Sequence, residues 1–410
     1  MALVAILFAL ACEHANNLFH RLLAVSPYLP LLVTPLGLML VAALTRRYFP
    51  GSQGSGIPQT IASLESGGGQ QVREQVLSVR VLVGKVILTV TGLLCGASVG
   101  REGPSVQIGA SIMHRLGNFV RFPQQHNFER GLILAGGAAG VAAAFNTPLA
   151  GIVFAIEEMG RSFERHNSGT ILITVILAGL TSVALLGNYT YFGHTSESLS
   201  FGGEWAVVGV CGLAGGLLGG VFSRSLIAVS RGLSGTVGEW IRSNPVRFAG
   251  VCGLLLAVTG IVSGGTTYGS GYDEAKSLLD GSTAVPESFG LLKMAAVLLS
   301  SISGIPGGLL SPSLSAGAGL GANISHLVTF APASATILLG MVGYFSGVTQ
   351  APITASVIVM EMTGNHEMVL PLMTAAFIAN SCSRLVCPTP VYHTLAQNFL
   401  GPRLSATEAR

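Results

Sequence analysis

Long stretches without any charged residue constrain what this chain can fold into. No Asp, Glu, Lys or Arg occurs from Met294 to Met360, a run of 67 residues. Two further charge-free runs extend from Gly131 to Ile156 and from Thr170 to Thr195. A soluble fold would have to bury nearly all of these residues, whereas a membrane-spanning helix needs about 20 apolar residues. The runs therefore predict several spans, and the longest must hold at least two helices joined by uncharged turns.

The composition agrees with a multi-pass membrane protein. Charged residues make up 10% of the chain, against about 25% in ordinary soluble domains. Glycine contributes 55 of 410 residues, and small residues allow membrane helices to approach one another closely. The net charge of +3 gives no basic surface for nucleic acid. Arg46 and Arg47 end one apolar segment, which places that end in the cytoplasm by the positive-inside rule.

The six cysteines and the N-terminus carry no special signal. The cysteines lie mostly inside apolar segments without metal-ligand spacing, so we interpret them as buried small apolar residues and predict no metal site. The N-terminus runs directly into an apolar stretch without a preceding basic region. We therefore interpret Met1–Leu23 as a first helix and not as a cleaved signal peptide.

The chain contains an internal repeat. Matched features recur in the same order at offsets between 203 and 215 residues, which predicts a first transmembrane repeat over 1–192, a polar link over 193–204 and a second repeat over 205–386. Residues 387–410 would form a C-terminal pore helix and a short tail. These positions do not decide whether the repeats are parallel or inverted. The matched pairs are Gly54-Ser55-Gly56 with Gly269-Ser270-Gly271, Lys85 with Lys293, Pro104 with Pro312, Pro148 with Pro352, and Glu157 with Glu361.

Each repeat contains an interrupted helix at the matching place. The apolar span Val81–Val99 stops at Gly100–Pro104, and the span Leu291–Ile302 stops at Gly304–Gly308 before a new helix near Pro312. Paired Gly/Pro breaks in two halves indicate the binding site of a transporter. Irregular backbone at membrane depth is tolerated where it lines a cavity. The N–H groups and positive dipole of each new helix favour an anion.

At these positions the sequence resembles the CLC chloride channel and transporter family, and most closely its compact prokaryotic-type chloride/proton antiporters. The resemblance runs in order along nearly the whole chain and implies an all-α integral membrane fold. That fold has two inverted repeats of tilted and broken transmembrane helices. It also implies a homodimer with one pore per subunit, embedded in membrane lipid, and no cofactor. The motifs are Gly54–Pro58 (GSGIP), Gly100–Pro104 (GREGP), Gly307–Pro312 (GGLLSP), Ala144–Gly151 with Glu157–Met159, and Pro390–Tyr392.

The resemblance also implies roles for individual residues. Glu102 would be the gating glutamate, whose carboxylate occupies an anion position until it is protonated. Glu158 would be the inner proton acceptor. Ser55 and Tyr392 would offer hydroxyl groups to the central anion, and backbone N–H groups would complete its site. The full set of predicted anion-binding residues is Ser55, Gly56, Ile57, Gly103, Leu309, Leu310 and Tyr392.

Each of these roles has a simpler alternative. Ser55 alone can cap the helix that begins near Pro58. Glu102 can be a structural carboxylate that interacts with a helix dipole. Glu157 and Glu158 can form a solvated helix end. Tyr392 can be an aromatic residue of the membrane interface.

The resulting prediction is secondary active transport of chloride in exchange for protons, with Glu102 shared by the anion and proton paths. Ser55 resembles chloride-selective members of the family, so chloride and protons are the expected partners. The alternative is a voltage- or pH-gated chloride channel without proton coupling. It is favoured by Leu310, where the family often has Phe. No nucleophile or metal motif of a known intramembrane enzyme occurs, so no enzymatic activity is predicted. We also expect the Gly-rich segment Trp205–Gly220 to supply the subunit contact.

Overall fold

The structure is a computed structural model and describes residues 2–65, 69–119, 125–160, 168–187 and 189–400. The described residues form nineteen α-helices and no β-strand. In the first half, the helices are α1 (Ala2–Val25), α2 (Pro30–Tyr48), α3 (Ile57–Leu64), α4 (Gly69–Val76), α5 (Val79–Leu94), α6 (Glu102–Phe119), α7 (Gln125–Phe145), α8 (Pro148–Phe154), which continues as a π-helical turn (Ala155–Gly160), and α9 (Ser168–Leu186).

The second half repeats this pattern of long and short helices. A short 3-10 turn (Gly203–Trp205) precedes it, and another (Gln397–Phe399) follows the last helix. The helices are α10 (Ala206–Arg231), α11 (Gly235–Ser243), α12 (Pro245–Val262), α13 (Tyr272–Leu279), α14 (Phe289–Ile302), α15 (Leu310–Leu327), α16 (Ala333–Thr349), α17 (Pro352–Thr363), α18 (Val369–Val386) and α19 (Val391–Ala396).

The predicted helix breaks are confirmed in both halves, with one change of boundary. Helix α14 ends at Ile302 and α15 begins at Leu310, close to the expected positions. Helix α5 ends at Leu94 and not at Val99. The reason is Gly96, whose φ of 84° interrupts the helix and whose missing side chain leaves room for the ring of Phe19. A side chain at this position would be strained as well as crowded.

Glycine allows one helix pair in each half to pack closely in the same manner. A methyl group placed on Gly136 or Gly140 of α7 would strike the backbone of α6. In the second half, the same change at Gly340 of α16 would strike the backbone of Gly321 in α15. Small residues permit this approach because membrane helices gain little from burying apolar surface away from lipid. The repeat found in the sequence is therefore also a repeat of helix packing.

Two glutamates cross between the halves and relate them by a local two-fold symmetry. The Glu361 carboxylate accepts hydrogen bonds from the N–H of Leu149 (3.1 Å) and of the next residue (2.6 Å), at the start of α8. The Glu157 carboxylate accepts from the N–H of Ile353 (3.1 Å) and of the next residue (2.6 Å), at the start of α17. Each carboxylate thus satisfies N–H groups that a helix leaves unpaired. The exchange is reciprocal, as two inverted repeats require.

The glycines of α10 pack within the subunit. Gly215 and Gly219 lie against the backbone of α16 at Gly343 and Gly347. Other glycines of the same helix contact α18. The opposite face of this segment exposes aliphatic side chains such as Leu213, so the subunit contact expected at Trp205–Gly220 stays a prediction for that face.

A buried ion-pair cluster joins four helices beside the α6–α7 pair. Arg73 Nη1 lies 2.9 Å from one carboxylate oxygen of Glu129, and His114 Nδ1 lies 2.8 Å from the other. Arg73 Nε also donates a hydrogen bond to the Ser63 carbonyl at the end of α3 (3.0 Å). Removing one partner of a buried pair costs about 3–5 kcal/mol, because an uncompensated charge remains. The cluster therefore holds α3 against α4, α6 and α7.

Seven helical stretches among the described residues are long and apolar enough to cross a membrane. Several of them expose rows of large aliphatic side chains, for example Leu3, Leu7 and Leu10 on α1. The inside of the molecule contains large apolar side chains together with alanine and small polar residues. The exposed aliphatic rows on the outside fit a chain surrounded by lipid.

Candidate functional site

Three loops that are far apart in the sequence meet in the interior. Gly54 donates its N–H to the Ile305 carbonyl (3.0 Å) and accepts from the N–H of Gly307 (3.0 Å). Gly100 and Gly308 exchange two backbone hydrogen bonds, at 2.8 and 2.7 Å. The GSGIP and GREGP loops are therefore both paired with the Gly304–Gly308 loop. Helices α3, α6 and α15 all begin at this junction, which brings three helix N-termini together.

The first turns of these helices have the form of an anion site. Gly56 precedes α3 with φ of 104° and is its N-cap, a conformation that favours glycine. Leu309 is the N-cap of α15, and Leu310 is its first residue. None of these helix starts has a side-chain cap, so their N–H groups are available for a bound anion. Ile57, the first residue of α3, is fully buried beside them.

Ser55 lies against Gly103, and its hydroxyl does not cap α3. A methyl group on Gly103 would strike Ser55 Oγ and would lie 2.9 Å from the Ser55 carbonyl oxygen. The N-cap of α3 is Gly56, without a side-chain hydrogen bond. Ser55 Oγ is buried and contacts the hydroxyl of Tyr392. The alternative that Ser55 serves only as a helix cap is therefore wrong.

Tyr392 lies in the same region, on the short helix α19. Its side chain is fully buried, so the alternative of an aromatic residue at the membrane interface is wrong. Its hydroxyl contacts the Ser55 hydroxyl and interacts with the Glu102 and Glu158 carboxyl groups. One hydrogen bond between two hydroxyl groups uses only one of their two O–H donors. The other O–H can therefore donate to a bound anion.

Glu102 is the first residue of α6 and is fully buried. Its carboxylate turns back over the preceding loop, where a methyl group on Gly100 would strike Oε2 and would lie 3.0 Å from Pro312 Cδ. The carboxylate therefore lies between the start of its own helix and the start of α15. The groups that interact with its oxygens are its own N–H and the N–H and hydroxyl of Ser311. A negative group at this place is stabilised by two helix N-termini.

A cavity of about 320 Å³ leads to Glu102 from one side of the molecule. Its wall also holds Arg101, whose guanidinium donates to the Ala9 carbonyl at 3.0 Å. The polar part of the wall also includes three tyrosines, Asn16, Asn17, Ser270 and two exposed acidic residues, Glu13 and Asp273. Neither Ser55 nor Tyr392 lines this cavity, so Glu102 stands between the cavity and the two hydroxyl groups.

Glu158 lies in the π-helical turn Ala155–Gly160 and is buried. Such turns are rare and recur at functional sites. Glu157 is partly buried, and its carboxylate binds the start of α17. The alternative that this pair forms a solvated helix end is therefore wrong for both residues.

Two buried lysines hold the loops in place and were not assigned a role from the sequence. Lys85 donates to the Gly54 carbonyl (2.9 Å). Lys293, its counterpart in the second half, donates to three successive carbonyls, those of Thr267 (3.0 Å), Tyr268 (3.2 Å) and Gly269 (2.9 Å). The repeat marked both lysines as equivalent. Only the structure reveals that each binds the backbone of its own Gly-Ser-Gly loop.

Broken helices of two inverted repeats that meet at a buried polar site define a membrane transport protein. A family profile described as "Voltage gated chloride channel" matches residues 37–384. The chain therefore belongs to the voltage-gated chloride channel (CLC) family, whose members are transporters and channels.

Solved structures agree with this assignment. A slow cyanobacterial Cl-/H+ antiporter is 22% identical, with a TM-score of 0.81 over 100% of this chain and 96% of the other. A CLC-type fluoride/proton antiporter is 25% identical, with a TM-score of 0.76 over 96% of both chains. A eukaryotic CLC transporter is 23% identical, with a TM-score of 0.77 over 97% of this chain and 71% of the other. The similarity covers the whole CLC fold, including its inverted repeats.

Proposed function

We propose that this protein exchanges chloride for protons across the cell membrane. The observation that carries the proposal is the position of Tyr392, because its hydroxyl is close enough to interact electrostatically with the carboxyl groups of both Glu102 and Glu158. Exchange requires an anion site that two acids can influence, each from its own access route. Glu102 lines the large cavity, and Glu158 does not. The two carboxyl groups therefore have separate surroundings and one shared neighbour.

In the proposed cycle, the charge of Glu102 decides what occupies the start of α6. The ionised carboxylate is held by the helix N-termini of α6 and α15, where an anion would otherwise bind. A proton arriving through the cavity removes that charge, and chloride then replaces the carboxylate. When the anion leaves, Glu102 passes this proton on to Glu158. Because proton and chloride use Glu102 in alternation, their opposite fluxes are linked.

The proposed chloride site combines neutral donors from four elements. Ser55 and Tyr392 supply hydroxyl groups, and the starts of α3, α6 and α15 supply N–H groups from Gly56, Ile57, Gly103, Leu309 and Leu310. A site without a fixed positive charge binds weakly enough to release its ion, as fast transport requires. Ser55 favours chloride over fluoride. The similar structures include both a chloride/proton and a fluoride/proton antiporter, so a direct comparison of the two fluxes is part of the test.

The experiment compares Glu158→Gln with the unmodified protein in liposomes, with chloride and proton fluxes recorded from the same sample. We expect chloride flux to remain and proton flux to be lost, because glutamine cannot carry a proton from the inner side. Intact proton pumping in the variant would contradict the assignment of Glu158. Preferential fluoride flux in the unmodified protein would contradict the choice of chloride.

A chloride channel without proton coupling is the second candidate, and Leu310 is the residue that favours it. Its buried side chain stands at the start of α15, where the smaller volume compared with Phe leaves a wider passage. Chloride flux without any proton movement in the unmodified protein would support this candidate. We further propose that two subunits, each with its own pore, form the functional unit.

A further inference from the structure

Helix α19 carries two neighbouring side chains that serve different partners. Tyr392 faces the buried hydroxyl of Ser55. The next residue, His393, places Nε2 2.9 Å from the backbone carbonyl oxygen of Glu158. A carbonyl oxygen can only accept, so Nε2 carries the proton and His393 donates this hydrogen bond. His393 thus contacts the backbone of Glu158, the proposed inner proton acceptor.

The contacted segment is a π-helical turn, in which each of three successive residues is anchored to a different element. Glu157 binds the start of α17. Met159 packs on α7 at Gly137. Its Cε fills the space beside this glycine and would lie 2.5 Å from a methyl group added there. Glu158 is held through its carbonyl by His393. A π-helical turn departs from the regular α-helical hydrogen bonds, so these outside contacts determine the direction in which the Glu158 side chain projects.

We propose that His393 is a positioning residue for proton coupling, which fixes the Glu158 turn against the helix that carries Tyr392. This inference rests on the proposed exchange of chloride for protons. Tyr392 and His393 are joined by a peptide bond, and His393 is joined to Glu158 by a hydrogen bond. It sets the separation between the central anion site and the inner carboxyl group.

The hydrogen bond does not depend on the charge of the imidazole. Nε2–H is the donor in the neutral tautomer described above and also in the imidazolium ion. The hydrogen bond to Glu158 is therefore present in both charge states of His393. Because this bond goes to the Glu158 backbone, we expect its loss to affect the Glu158 turn more than the chloride site.

The test compares His393→Ala and His393→Gln with the unmodified protein in liposomes. Opposed chloride and proton gradients give the reversal potential, and hence the number of protons moved per chloride. We expect His393→Ala to slow proton flux at least about tenfold, as misplacement of a reacting group does, while chloride flux changes less than about twofold. His393→Gln, whose side-chain amide can reach the same carbonyl, restores most of the coupling.

Thr394→Val is the matched control on the same helix, because the Thr394 hydroxyl donates to the Pro390 carbonyl of its own turn (2.8 Å). It should leave the reversal potential unchanged. A normal reversal potential in His393→Ala would overturn the proposal, and so would an equal loss of chloride and proton flux, which indicates general damage. Absence of proton movement in the unmodified protein would reject the exchange itself, and the role of His393 with it.

Discussion

At the scale of single residues, the site depends on how little space surrounds the Ser55 hydroxyl. Gly103 has no side chain, and Ser55 Oγ occupies the volume that a methyl group would need. The Cα atom of Gly308 would lie 3.2 Å from the same methyl group on Gly103. The hydroxyl is therefore positioned by backbone atoms, which cannot move without shifting the starts of two helices.

Gly103→Ala should consequently weaken chloride binding. An added methyl group in a closely packed site costs about 1–3 kcal/mol, which corresponds to roughly 5- to 150-fold in the dissociation constant. Isothermal titration of chloride into the detergent-solubilised protein measures the change. The matched control is Gly209→Ala on α10, where no atom lies within 4 Å of the new methyl group. An unchanged dissociation constant for Gly103→Ala would show that Ser55 is not part of the anion site.

At this scale the sequence predicted where the helices of the proposed anion site begin, but not the contacts that support them. Gly/Pro breaks in both halves predicted where helices begin, because glycine conformation and helix dipoles are local properties. The contact between His393 and the Glu158 carbonyl was not predicted, since the two residues are 235 positions apart and no periodic pattern relates them. The same reason applies to Arg73 and Glu129, which are 56 positions apart.

At the scale of helices, the exchanged glutamates hold α8 against α17. The repeat in the sequence paired Glu157 with Glu361, but it did not predict that each binds the start of the other helix. A charged acceptor on two helix N–H groups contributes both hydrogen bonds and a favourable interaction with the dipole. The two contacts fix the helix that leads to Glu158.

Glu361→Gln should lower the stability of the folded protein without changing the chloride site. The loss of charge weakens two hydrogen bonds, and we expect a decrease of about 1–3 kcal/mol in the free energy of unfolding. Thermal unfolding in detergent, followed by circular dichroism, measures this effect. Glu287→Gln, at an exposed position, is the control and should leave the transition unchanged. An unaltered transition in Glu361→Gln would mean that the cap makes no net contribution.

At the scale of the whole molecule, the two halves share an architecture and differ in chemistry. The position of Glu158 is taken in the second half by Met362, which is fully buried. Lys293 and Lys85 hold equivalent loops, but Ser270 lines the open cavity, whereas Ser55 is buried at the helix junction. The inverted repeats thus supply a symmetric frame, in which only the first half carries the acid that we propose as the inner proton acceptor.

The inverted relation illustrates what a sequence can and cannot provide at this scale. Matched Gly, Pro, Lys and Glu positions identified the repeat, since they mark helix ends that any such fold must have. Their order is the same for parallel and inverted halves, so the relation itself required the resemblance to the CLC family. The structure adds the reciprocal glutamate contacts. It also assigns the Gly-rich face of α10 to packing within the subunit, which composition alone did not distinguish from a surface between subunits.

The central claim is that chloride and protons share Glu102, and one measurement tests it most directly. The purified protein is placed in liposomes with a chloride gradient, the membrane voltage is clamped with valinomycin and potassium, and the external pH is followed. The account predicts proton movement against the proton gradient, driven by chloride, which disappears in Glu102→Gln while chloride still flows. Chloride flux with no proton movement in the unmodified protein would contradict exchange and indicate a channel.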